Sequence, residues 1–219
     1  TAMNRYFSVD RPHKSIATCT GVFFDEGPKT GYDGKQRTKG DAYIIMPRMS
    51  GMELYKIQRR LYAEDRKAIA AQFVSALAHM HKHGVIYRDI KPENAMYDIM
   101  SKQLTMIDFG LATFLPTNGD KLTEGWGTPW FAAPEIHNAQ PYDSTLDVWA
   151  GGAFLYEAFS NTGLFSYEKS IDGSYLCTEQ VNQSQEDLAH FLNEKINSAN
   201  NNRGTILLDD DMANLIRQM

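Results

Sequence analysis

The chain has 219 residues, 42% hydrophobic and 22% charged, with a formal net charge of -5 and a pI near 5.7. That balance suits a globular domain, or one with a small second lobe beside it, and argues against a nucleic-acid-binding surface as the main business of the chain. No run approaches the roughly 18 apolar residues of a membrane-spanning helix, and two cysteines, Cys19 and Cys177, are too few and too far apart for a disulfide framework or a metal motif. They read as reduced thiols of a soluble, cytoplasmic protein.

Residues 1–16 are polar and mixed, and Pro12 ends any helix before it. The apolar runs Gly21-Val22-Phe23-Phe24 and Ala42-Tyr43-Ile44-Ile45-Met46 read as strands, with residues 25–41 between them a long exposed hairpin loop. Residues 65–83 carry the clearest helical period, with Ile69, Phe73, Val74, Leu77 and Met80 at three- and four-residue steps. His79, His81 and His83 alternate at its end, but residues two apart on a helix do not share a face, so a metal site is not expected there. Gly84 is placed to stop the helix in a left-handed cap.

The turn Val85-Ile86-Tyr87-Arg88-Asp89-Ile90-Lys91-Pro92-Glu93-Asn94 follows at once. Its spacing of acid, lysine and amide suits phosphoryl transfer: Asp89 to accept a hydroxyl proton, Lys91 to neutralise charge on a moving phosphoryl group, Asn94 to hold a metal ion. Leu104-Thr105-Met106-Ile107 reads as a short strand bringing Asp108-Phe109-Gly110, a second metal-type signal, to the same cleft. Residues 116–121 are turn chemistry, and Gly127-Thr128-Pro129-Trp130-Phe131-Ala132-Ala133-Pro134-Glu135 closes the loop that begins at Asp108. An apolar helix is expected from Asp147 to about Phe159, then a polar, Asn-rich surface excursion over 163–203 with one amphipathic segment at 185–196, and a last helix at 212–219.

The blocks Tyr87-Arg88-Asp89-Ile90-Lys91-Pro92-Glu93-Asn94, Asp108-Phe109-Gly110 and Ala133-Pro134-Glu135 stand in the order found in eukaryotic-type protein kinases, and the chain resembles their Ser/Thr subclass. The resemblance implies an α+β, kinase-like bilobal fold, with a reduced β small lobe at 1–47 and a mostly helical large lobe at 48–219. The catalytic turn is then 85–94 and the activation segment 108–135. It implies transfer of the γ-phosphate of ATP to Ser or Thr hydroxyls of protein substrates, with Mg²⁺ held by Asn94 and Asp108. Met46 becomes the gatekeeper of the adenine pocket and Pro47, Arg48 and Met49 its hinge, where the carbonyl of Pro47, which proline keeps, faces adenine. Met96 is a further ATP contact. Glu53 meets the ribose or a basic substrate residue, or is an exposed helix-start acid.

By the same resemblance Thr128 ties the peptide-binding loop to Asp89 and Lys91, Tyr87 packs on Phe109 in place of the usual His, and Asp147 caps the backbone of the turn. Arg88 stands where the family holds a phosphorylated loop residue. Glu124, four residues before Thr128 with Thr123 beside it, is expected to offer Arg88 a built-in negative charge, or else to be an unpaired loop glutamate.

Two family features are missing. No Gly-x-Gly-x-x-Gly loop precedes the hinge, and no strand carries the lysine that orients the phosphates; its partner glutamate should fall near Asn4, yet no acid occurs before Asp10. The arginine that pairs with Glu135 comes after the last helix, and a buried, unpartnered Glu135 would cost about 3 kcal/mol. Either Glu135 finds another cation or the chain is part of a longer kinase. An active kinase is the first reading, favoured by intact Asp89, Lys91, Asn94 and Asp108. The alternative is a catalytically impaired, pseudokinase-like scaffold that binds a protein partner, with a partner supplying or stabilising the small lobe. A small-molecule phosphotransferase is disfavoured by the peptide-binding loop at 127–135. No nucleic-acid or membrane partner is expected.

Overall fold

The structure, a computed structural model, describes residues 7, 11–24, 27, 29–30, 36–37, 42–169, 176–201, 213–214 and 216. Gly21–Phe24 (β1) pairs antiparallel with Ala42–Ile45 (β4), Gly21 opposite Ile45 and Phe24 opposite Ala42. Within the expected loop, Lys29–Thr30 (β2) and Gln36–Arg37 (β3) pair with each other, so part of it is ribbon rather than open loop. All four residues of β4 are exposed. Beyond this ribbon the chain turns at Gly51, where φ is +87° and a Cβ would stand 2.3 Å from the Tyr97 carbonyl oxygen, so only glycine fits.

Met52–Glu53 (β5) then joins Ala95–Asp98 (β7) and Gln103–Met106 (β8) in an antiparallel sheet with β7 in the middle. The two-residue period of β7 and β8 buries Ala95, Tyr97, Leu104 and Met106. Residues 15–17 extend it, the Ala17 amide donating to the Met106 carbonyl at 2.9 Å and the Met106 amide to that of Ser15 at 2.8 Å.

After the single turn Leu54–Ile57 (α1), the predicted long helix runs Ala63–Lys82 (α2). Asp65 starts it by accepting the Tyr62 amide at 3.1 Å, and Ile69, Phe73, Ala76, Leu77 and Met80 form its buried face. Gly84, at φ +70°, follows its end. Val85–Ile86 (β6) pairs with Thr113–Phe114 (β9), and Pro134–His137 (α3) is a short helix.

Thr145–Ser160 (α4) is the core helix, with every residue from 150 to 160 buried, as an all-round apolar sequence requires. Its last carbonyls, which a helix end leaves without partners, are taken by the buried guanidinium of Arg66 on α2. Arg66 donates to Ala158, to Phe159 at 3.2 Å and to Gln58 at 2.7 Å. Burial draws Arg66 down to about 10, with Asp65 opposing.

The segment read as a polar excursion holds two helices, Leu176–Val181 (α5) and Gln185–Asn201 (α6). They add Cys177, Val181, Ile196 and Ala199 to the main core, and Phe165 stacks between Trp149 and Phe191 at 5.7 and 5.8 Å. Of the last expected helix, Ala213, Asn214 and Ile216 are helical. Asn4 and Arg203 lie outside the described residues. Among those described, no helix is long and apolar enough to cross a membrane.

Candidate active site

Strand β6 is fully buried and delivers the chain into the turn at 87–94. Arg88 takes φ +69°, a left-handed conformation that costs a side-chain-bearing residue about 1 kcal/mol or more. Asp147, on the first turn of α4 and 0% exposed, holds it there. The Tyr87 amide donates to Asp147 Oδ2 at 2.7 Å and the Arg88 amide to Oδ1 at 2.8 Å, while His81 Nε2 lies 2.9 Å from Oδ2. A buried carboxylate with three such partners is satisfied.

The turn then folds its functional groups onto one another. Thr128 Oγ1 donates to Asp89 Oδ1 at 2.8 Å and accepts from Lys91 Nζ at 3.1 Å. Lys91 Nζ is also 2.8 Å from Asp89 Oδ2. Asn94 Nδ2 donates to Asp89 Oδ2 at 2.7 Å and to the Asp89 carbonyl at 2.9 Å, so the side-chain oxygen is the atom of Asn94 that could meet a cation.

Asp108 takes φ +58° and accepts the Gly110 amide at 3.0 Å. Behind it Phe109 is buried between two rings, edge-on to Tyr87 at 5.1 Å and tilted to Phe7 at 5.9 Å. The Tyr87 hydroxyl donates to the Ile107 carbonyl; burial, reinforced by Asp89, Asp108 and Asp147, pushes this phenol well up, so it stays a neutral donor.

From Asp108 a cleft of about 530 Å³ runs past Ile107, Met96 and Ala17 to Met46, Pro47, Arg48 and Met49. Its size is that of a small-molecule site. Its apolar walls suit a flat heteroaromatic ring, and the carboxylate at one end suits a cation carried by phosphates. Among the described residues no group of three His, Cys, Asp or Glu is arranged to hold a metal. Mg²⁺ needs none, since one or two protein oxygens with substrate phosphates are its usual set, and Asn94 and Asp108 fit that requirement. Glu53 is not on this lining; its carboxylate pairs with Lys56 at 2.8 Å at the start of α1.

On the activation segment, Glu124 Oε2 lies 3.6 Å from Arg88 Nη1, and Thr123 beside it is exposed. Glu135 is half-buried rather than buried, and among the described residues no cation pairs with it. Its exposure lessens the cost of lacking a partner.

Several residues escaped the sequence reading. His81, part of an alternation in which no metal site was expected, faces Asp147 across 66 positions, while the rings of His79 and His83 meet tilted at 4.5 Å. Glu157 on α4 is 4% exposed and accepts from the Tyr167 hydroxyl and from Gln58 Nε2 at 3.4 Å. Burial pushes its carboxyl up, those two bonds oppose, and Glu93 adds to the rise. Glu93 Oε2 and Gln58 Oε1 are buried without a hydrogen-bond donor. A glutamate inside an apolar helix was the one available signal for this cluster.

Comparison with known families matches residues 7–219 to the protein kinase domain. Over 124 residues the chain is 40% identical to serine/threonine-protein kinase Sgk3 of Mus musculus and 38% identical to serine/threonine-protein kinase Sgk1 of Homo sapiens. Each alignment covers 55% of this chain, but 25% of the first relative and 28% of the second, so the chain matches about a quarter of the length of these curated relatives. With the family match reaching from Phe7 to the last residue, over an α+β architecture, the chain belongs to the protein kinase domain family.

Proposed function

We propose that this chain transfers the γ-phosphate of ATP to Ser or Thr hydroxyls of protein substrates. The observation that carries the reading is the closed set of bonds among Asp89, Lys91, Thr128 and Asn94, which brings a carboxylate, an ammonium, a hydroxyl and a carboxamide to one point. Asp89 takes the hydroxyl proton as the new oxygen–phosphorus bond forms and the bond to ADP breaks. Lys91 stabilises negative charge on the group in transit, and Thr128 keeps the Asp89 carboxylate aimed. Bound Mg²⁺ supplies neutralisation of the ATP phosphates, with Asn94 and Asp108 as its protein ligands. Met46, Pro47, Met49 and Met96, all on the lining of the cleft, are the adenine contacts of this reading. The lobe boundary falls at 47/48, and the cytoplasm is the compartment.

The substrate class follows from Glu93 and Glu157. Two neighbouring carboxylates, one with a buried oxygen lacking a donor, favour a cationic residue of the substrate, because such an acceptor costs about 1–3 kcal/mol until a donor reaches it.

The reading kept beside phosphotransfer is a scaffold that binds a protein partner without catalysis. Transfer of labelled phosphate from ATP to a generic Ser/Thr protein substrate, by this chain and by Asp89→Asn, separates the two. Transfer by the parent and loss in Asp89→Asn is expected; no transfer by either folded protein leaves a piece of a longer kinase or a scaffold, and no transfer after upstream sequence is restored overturns the kinase reading.

A further inference from the structure

Arg88 sits next to Asp89 with its side chain only 8% exposed, so its charge needs a counterion. Its Nε donates to the Leu111 carbonyl at 2.6 Å and its Nη1 to the Tyr142 hydroxyl at 3.0 Å, neither of which carries charge. Among the described residues, the carboxylate paired with it is that of Glu124.

Glu124 is itself held on two sides. Trp126 Nε1 donates to its Oε2 at 3.0 Å, and its backbone carbonyl accepts the Tyr142 hydroxyl at 2.7 Å. Tyr142 is 2% exposed and is a fixed post, since Leu122 and Tyr142 exchange amide-to-carbonyl bonds at 2.9 and 2.8 Å. Arg88, Tyr142 and Glu124 thus close a ring. Three residues on, Gly127 turns at φ +126° so close to the Arg88 carbonyl that a Cβ would stand 3.1 Å from it, and Thr128 then bonds Asp89.

We infer that Glu124 is a positioning residue which, through Arg88, holds the activation segment in place with a charge encoded in the chain, so that ordering Thr128 on Asp89 requires no phosphate. The consequence for rate rests on the phosphotransfer reading above; the hold itself does not. One carboxylate brings a single charge where a phosphate brings nearly two. Glu124 is 68% exposed, so the hold is weaker than a phosphate's and fades as salt rises. It is also permanent, since no phosphatase removes it.

The test uses the full chain, treated with phosphatase and shown by mass to carry no phosphate, beside Glu124→Gln and Glu124→Asp. Amide exchange at Leu122 and Tyr142 reads the hold, and phosphate transfer at low and high salt reads its effect. In Glu124→Gln we expect Leu122 to exchange about fivefold faster and kcat to fall about fivefold with little change in KM, the size of a partly exposed ion pair. Glu124→Asp should recover part of both, and high salt should bring the parent toward Glu124→Gln. Equal exchange in the dephosphorylated parent and Glu124→Gln overturns the inference, as does activity that appears only when Thr123 is phosphorylated. A difference in exchange without transfer by any variant leaves the hold standing and removes its consequence for rate.

Discussion

The two sides of the cleft are built differently. On one, the turn at 85–94 rests on a buried framework: Ile86, Tyr87 and Asp147 are 0% exposed, and each functional group is bonded to another. On the other, the ribbon of β1 and β4 that leads to the hinge shows Phe23, Phe24, Tyr43 and Ile45 to solvent at 58%, 76%, 49% and 49%. Buried, fully partnered groups are costly to move; an exposed two-stranded ribbon is marginal by itself. On the reading proposed above, the arrangement separates the chemistry, set by the helical core, from the nucleotide grip, which the exposed ribbon adjoins.

The largest break in that contrast should come from Asp147→Ala. It leaves two buried amides without an acceptor, and we expect a loss of about 2–5 kcal/mol in urea unfolding together with loss of phosphate transfer. Stability within experimental error of the parent would mean that the strained turn is held by something else. Next is Asp108→Ala, which should weaken Mg²⁺-dependent nucleotide binding by at least about 1.4 kcal/mol, a factor of ten, while leaving the unfolding midpoint nearly unchanged. Calorimetry showing retained Mg²⁺-ATP affinity would sink its assignment.

A smaller effect is expected from pH. Burial holds His13 below the usual value of 6.5, with His79 and Lys14 adding to it, and burial likewise lowers His137 against bonds to the Pro129 and Ala132 carbonyls. A depressed histidine favours the fold while neutral. That contribution is complete above about 6.5 and is lost as pH falls from there through the folded values. Glu157, raised by burial, works oppositely, favouring the fold when protonated and so gaining as pH falls. Thermal unfolding followed between pH 7.5 and 5 should therefore show a smaller loss on the acid side in His13→Gln than in the parent. The smallest change should be Phe24→Ser on the exposed ribbon, within about 0.5 kcal/mol of the parent. A larger loss would show that Phe24 is covered in solution.

What could be read beforehand followed the range of the interactions. Asp89, Lys91 and Asn94 lie within one turn, and Asn94 bonds Asp89 at a separation of 5 positions, so a local motif carried the geometry. The long helix was legible because its period repeats through twenty residues, with the end marked by Gly84. Placing Thr128 on Asp89, 39 positions away, needed the family resemblance. The pairing of Gln58 with Glu157, 99 positions apart, and of His81 with Asp147 left no periodic trace, because a polar residue announces its burial only once its partner is known. Residues 163–201 were under-read for a related reason: their buried set is sparse and partly small, as Cys177 and Ala199 show, and polar neighbours mask it.

Asp147 also bears on how the protein is made. Its partners precede it by 59, 60 and 66 positions, so the left-handed turn at Arg88 lacks the acceptor of its backbone amides until the start of α4 has been synthesised and docked. A nascent chain that already contains every residue of the turn therefore still lacks the contact that shapes it. The long-range contact that shapes the turn is among those whose loop-closure cost delays formation. On the phosphotransfer reading proposed above, competence comes only with completion of the core.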